Sequence, residues 1–224
     1  MRFLERGDAP ECLSRFDYRK DKWSVVHQHN LYGVIWEHLN IMQHRFCAYC
    51  ECRLPEGNKG KHIEHFYRIN RGFIHKTFDW MNLFGSCDHS TRCGRYKDNA
   101  RGVSGIDLDS VCKPDIIDPD KLLLFLNNGR VLPRSDLNIE NQKIASNTID
   151  IFNLDGDSNL VNSRKAAIKR EKIKSDAYWE LNAEDHSPEY AELLEEEMQN
   201  AMNRVSNEEF STALKHLWIF NREY

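Results

Sequence analysis

The chain has no apolar stretch long enough to cross a bilayer: runs such as Leu122–Leu126 fall far short of the roughly 20 residues that requires. No export is expected, because Met1-Arg2-Phe3-Leu4-Glu5-Arg6 carries charges where a signal peptide needs an apolar core. Internal repeats and low-complexity tracts are absent. So is any basic excess. Lys and Arg number 31 against 35 Asp and Glu, a formal net charge of −4, whereas a protein that clamps nucleic acid unaided carries a basic face. No membrane-spanning helix is expected, autonomous tight DNA binding is mildly disfavoured, and the cytoplasm is the expected location. What remains is a folded chain of 224 residues, 40% hydrophobic and 11% aromatic, able to bury a core in one or two domains.

Cysteine is well represented, and its spacing is informative. Seven cysteines in a chain without an export signal favour reduced thiols and a metal over disulfides. Cys47 and Cys50 have C-x2-C spacing, which alone also occurs in redox sites. No βαβ pattern surrounds the motif, so an oxidoreductase is disfavoured. A second pair, Cys87 and Cys93, follows after 36 intervening residues, with a wider gap and hence a wider turn. Four such thiolates close a tetrahedral zinc site that folds the segment between them. Cys52 and His89 lie near enough in sequence to substitute, and Cys12 and Cys112 read as ordinary buried thiols.

Between the pairs stand Ile63-Glu64-His65-Phe66 and Phe78-Asp79-Trp80-Met81-Asn82-Leu83. Neighbours on a strand face opposite ways, so Glu64-His65 reads either as one packed and one surface residue or as a bent strand end that uses both. In the second case Glu64 suits a hard divalent ion such as Mg2+. His65 suits a general base, because its ordinary pKa lies near the working pH. Asn82 can orient the histidine by accepting its ring N–H. Arg53, Lys59, Lys61, Arg68, Arg71 and Lys76 surround the pair, and Arg92, Arg95, Lys97 and Arg101 follow the last cysteine. The acidic excess sits in Glu184-Asp185 and Glu195–Glu197. This asymmetry fits a positive cleft on a neutral or acidic body, or simply an unevenly charged surface.

Periodicity divides the chain into an N-terminal helical segment (1–45), a core rich in Cys, His and Gly (46–105) and a C-terminal helical region (106–224). A helix is expected from Trp23 into the first cysteine pair, short strands and loops through the core, and another helix beginning near Cys93. From Pro114 onward helices are expected over Asn141–Phe152, Leu160–Tyr178 and Ser187–Asn203. Ser206-Asn207-Glu208-Glu209 should cap a last helix through Leu217.

The stretch from Cys47 to Asp98 resembles the HNH, or His-Me finger, endonucleases. The segments FCAYCECRL, HIEHF, TFDWMNLFGSC and CGRYKD carry the resemblance. In detail they are most similar to the HNH subunits of Septu-type and retron-associated anti-phage systems, as are Ile151–Asp155 and Arg164-Lys165. The likeness spans about residues 45 to 165. It implies an α+β fold in which a small zinc-stapled ββα-metal core is inserted in a mainly helical chain. Its catalytic ion would be Mg2+ or another divalent, beside a structural Zn2+. The implied reaction is phosphodiester hydrolysis, with His65 taking a proton from water and Lys97, Arg68 or Arg71 on the flanking phosphates. The resemblance further implies an ATPase subunit as partner, docked on the flanking helices. DNA and RNA both remain open as substrate. One position departs from the pattern: Gly94 stands where many HNH helices carry an Asn or His ligand. Asp98, one turn on, is the candidate replacement, with Asp88 and His89 as alternatives; a degenerate metal site is the remaining possibility. The competing reading is a zinc-stapled module that binds nucleic acid or protein without cutting, with Gly94 as the sign of lost catalysis.

Overall fold

The computed structural model describes residues 1–29, 31–57, 59–182 and 187–220. The acidic Glu184-Asp185 pair lies outside the described residues. The fold is α+β, built on two small antiparallel hairpins held among helices.

The expected helix from Trp23 is broken in two. Helix α1 covers Val25–Gln28 and α2 covers Tyr32–Gln43, with Leu31 N–H closing onto Val26 O between them. Ile35, Trp36, Leu39 and Met42 recur at helical spacing and form the buried face of α2. Two left-handed residues, His44 at φ 51° and Arg45 at φ 63°, then turn the chain into the first cysteine pair.

Strand β1 (Lys61–His65) pairs antiparallel with β2 (Leu83–Cys87), His65 opposite Leu83 and Lys61 opposite Cys87. Helix α2 lies against this hairpin so closely that a Cβ at Gly85 would stand 2.7 Å from the Trp36 ring. Gln43 clamps the contact: its amide donates to Gly85 O and Phe46 O at 2.8 Å each and its carbonyl accepts from Gly85 N. Helix α3 (Cys93–Asn99) follows the hairpin and packs on β2.

The region after Pro114 is not helical at once. Strands β3 (Leu123–Phe125) and β4 (Val131–Pro133) form a second hairpin around Asn127-Asn128-Gly129, a turn signal overlooked in the helical reading. Gly129 sits at φ +87° beneath α5, where a Cβ would meet Val161 O at 2.3 Å. Helices α4 (Ile139–Ile151), α5 (Ser158–Asn182), α6 (Pro188–Val205) and α7 (Ser211–Phe220) complete the chain. Ser206 does not cap the last helix. Its hydroxyl closes the end of α6 on Met202 O, and Phe210 at φ 59° resets the backbone before α7.

One buried cluster runs through all three stretches, joining Leu4 and Leu39 to Phe66 and Phe84, and these to Phe152, Leu217 and Trp218. Buried Glu51, inside the first cysteine segment, receives Ser211 Oγ, Thr212 N and Thr212 Oγ1 from α7 and pairs with the Met1 ammonium. No described helix is long and apolar enough to cross a membrane.

Candidate active site and thiol cluster

Cys47, Cys50, Cys87 and Cys93 are all buried, and their sulfurs lie within 4.8 Å of one another. Two local devices bring them together. Cys47 N donates to Cys52 O and Glu51 N to Cys47 O, closing a tight turn in which Glu51 is left-handed. Cys87 N then donates to Cys47 Sγ at 3.4 Å, while Cys93, left-handed at φ 57°, is anchored by its own N–H to Phe152 O at 2.9 Å. Burial raises the Cys47 thiol, but hydrogen bonds from neighbouring thiols lower it well below its ordinary range; burial holds Cys93 well above. Thiolates this close repel unless a cation lies among them, and the set can hold one zinc ion. Cys52 is only half-buried and His89 is exposed, and neither is among the four that converge. Cys12 and Cys112 are buried and free, as expected.

His65 ends β1. Its Nε2 lies 2.9 Å from Thr77 O, a pure acceptor, so the neutral ring carries its proton there and leaves the Nδ1 lone pair free. Trp23 packs edge-on at 4.6 Å, and burial lowers the pKa of the ring, favouring the basic form. The orienting role expected of Asn82 therefore belongs to Thr77. Asn82 is buried and fully committed elsewhere: it accepts from Tyr67 N at 2.7 Å and donates to Tyr67 O and Lys76 O. It shapes the loop that delivers Thr77 to the histidine.

A cleft of about 440 Å³ opens beside His65, lined also by Arg68, Arg71, Arg95, Asp98 and Asn99. Arg68, Arg71 and Arg95 all line this cleft. Arg68 is held from behind, donating to Lys97 O at 2.6 Å, with Nε 3.5 Å from Asp98. Lys97 is the exception. It is fully buried and cannot reach a phosphate; its ammonium meets Glu64 Oε1 and Asp98 Oδ1 at 2.7 Å each and the carbonyls of His65 and Phe66. The two carboxylates expected to share a metal ion therefore already share a cation supplied by the chain.

Glu64 points away from His65, as strand alternation requires, toward α3. It is buried; burial raises its pKa, but the ammonium of Lys97 and the His62 ring beside it win and bring it down to about 2. Its Oε1 is paired with the Lys97 ammonium at 2.7 Å. Its Oε2 faces His62 Nε2 at 3.1 Å. Gly94 leaves the room for this pair: a Cβ there would lie 2.3 Å from Glu64 Oε2 and 2.9 Å from His62 Nε2. His62 Nδ1 in turn lies 3.3 Å from Asp88 Oδ1, and Asp88 pairs with Arg95. The sequence reading overlooked His62. The period-two rule that separates Glu64 from His65 also sets His62 and Glu64 on one face, and that was the signal available.

No family model matches the chain. The chain is similar to the Septu protein PtuB of Bacillus thuringiensis, 25% identical over 166 residues that cover 73% of this chain and 58% of that protein. It therefore spans a little over half the length of that curated relative.

Proposed function

We propose that the chain is a metal-dependent HNH-type endonuclease that hydrolyses phosphodiester bonds and serves as the nuclease of an anti-phage defence complex with an ATPase subunit. The observation that carries the reading is His65: its Nε2 is locked on Thr77 O at the mouth of a cleft lined by Arg68, Arg71 and Arg95. The Nδ1 lone pair takes a proton from water, and the hydroxide attacks phosphorus as the 3′ oxygen leaves. The arginines hold the flanking phosphates with charge-assisted hydrogen bonds. A bound divalent ion such as Mg2+ supplies Lewis-acid stabilisation of the charge that develops on the phosphoryl and leaving oxygens. Glu64 is the residue that would hold it, through Oε2, because the Lys97 ammonium already occupies Oε1. The defence role and the partner rest on the similarity to the Septu protein.

The second reading is a zinc-stapled binding module without catalysis. Lys97 favours it, because an internal ammonium already neutralises Glu64 and Asp98. Plasmid DNA and RNA incubated with the protein and its partner, with and without Mg2+, separate the two. Cleavage that needs Mg2+ and disappears in His65→Ala, with zinc content and melting temperature unchanged, is the expected result. Binding without cleavage under every condition would leave the module reading standing, and a His65→Ala variant that cuts as fast as the parent would overturn the general-base assignment.

A further inference from the structure

We infer that the outward face of α5 is a second contact surface for the polynucleotide that the His65 cleft takes, with Lys165, Lys169, Arg170 and Lys174 holding its phosphates. The inference rests on the nuclease reading for the fate of the strand, but not for the binding. Arg164, Ala167, Ile168, Glu171, Ser175 and Tyr178 form the buried side of the helix. The opposite side carries the four cations, all exposed, at successive spacings of four, one and four residues. That spacing gathers them along about 14 Å of the outward half of the helix, enough to follow several phosphates of one strand. Asn162, Ala166 and Ala177 are exposed on the same side and are small, so a sugar-phosphate backbone can come close.

Three properties separate this face from an ordinary solvated one. First, it is not neutralised: none of the four cations has a side-chain hydrogen bond or ion pair with a described residue. The carboxylates of the same helix are used elsewhere. Glu171 turns inward to Arg204 and the Trp218 indole, Asp176 pairs with Lys172, and Glu180 lies beyond the stripe. Second, Lys165 with Lys169, and Arg170 with Lys174, are like charges four residues apart, which repel on a helix, where opposite charges at that spacing attract. A bound polyanion relieves both repulsions. Third, charge is segregated. Six cations and three carboxylates give α5 a charge of +3, so the rest of the chain carries −7. Such a stripe on an acidic body attracts a polyanion to one place and leaves the rest of the surface to repel it. A protein interface would need a large apolar centre. Between Lys165 and Lys174 only Ile173, 77% exposed, could supply one. The stripe is also fastened to the cleft. Asp157, at the head of α5, binds Thr91 and Arg92 in the segment that leads into α3 and its cleft residue Arg95.

Fluorescence anisotropy of the zinc-loaded full chain without Mg2+ tests this, using labelled duplex DNA, single-stranded DNA and single-stranded RNA over a salt series. The parent's affinity should fall as salt rises. Changing Lys165, Lys169, Arg170 and Lys174 together to Gln should make the log–log slope shallower by about 3 to 4, with zinc content and melting temperature retained. The affinity lost between about 50 and 200 mM salt should then shrink roughly 50- to 150-fold. Lys169→Gln alone should change the slope by about 1. Changing the exposed Lys20, Lys22, Lys121 and Lys143 to Gln alters net charge equally and should leave the slope within about 1 of the parent. His65→Ala should keep the parent's slope. No binding by the parent at the lowest salt would overturn the assignment. So would an unchanged slope in the α5 variant, or an equal change in the charge-matched control. An unchanged slope with loss of the ATPase subunit from the complex would give the face to that subunit instead. A shallower slope in a protein that never cleaves would uphold the surface and count against the nuclease reading.

Discussion

Lys97 and His65 show how much at a single residue depends on what its neighbours demand. From its place on α3, Lys97 is a natural phosphate contact. Burial changes its role: its ammonium is the counter-ion of Glu64 and a donor to the His65 and Phe66 carbonyls. Lys97→Met should therefore cost about 3–5 kcal/mol of stability, because a buried carboxylate would lose its cation. A surface lysine that only touches phosphate would move the denaturant midpoint within about 0.5 kcal/mol. Equilibrium unfolding in urea at neutral pH distinguishes the two. The Glu-His pair alone left His65 open between packing and catalysis, and only the resemblance of HIEHF to the HNH motif singled it out. Thr77, which orients it, was not legible, because the interaction uses only a backbone carbonyl and any residue could supply one.

At the scale of elements, the cysteines could be read because metal ligation constrains spacing tightly, and the convergence of all four follows that rule. Cys50→Ser should lose zinc by elemental analysis and lower the melting temperature sharply, since the four thiols tie the first cysteine turn, the end of β2 and the start of α3 together. Helix boundaries were legible where caps and periodicity agreed, as at α4, which Asn138 caps on Asn141 N. They failed where tertiary contacts overrode local signals. Around β3 and β4 the apolar run Leu122–Leu126 gave no period, and an Asn-Asn-Gly turn decided the outcome. Asp157 is the joint between the later helices and the thiol segment: it accepts from Leu160 N at the start of α5, from Thr91 Oγ1 and from Arg92. Asp157→Ala should cost about 1–2 kcal/mol in thermal unfolding. Burial raises the Asp157 pKa, but those hydrogen bonds and Arg92 lower it overall. Its contribution is thus complete above the ordinary Asp value of about 3.9 and fades as pH falls through the lower folded value, so the variant's deficit should shrink in acid.

For the molecule as a whole, a net charge of −4 sets the terms of association. Arg68, Arg71 and Arg95 give the cleft a local positive field, but two of them are already engaged, by Asp98 and Asp88. The isolated protein should bind nucleic acid weakly, with affinity falling steeply between low and physiological salt, and should cut little until its partner is added. Filter binding across a salt series checks this, and full Mg2+-dependent activity from the chain alone, insensitive to salt, would contradict it.

The ties between Cys93 and Phe152, and between Glu51 and residues 210–212, also bear on when the fold can form. They join segments about 60 and 160 positions apart, so these two ties close late in folding. On a ribosome the thiol segment, the histidine strand and their nearby supports Thr77 and Lys97 emerge first, and the ties to Phe152 and α7 follow later. The candidate site could therefore take shape locally and be fastened to the rest of the core only once α7 has been made.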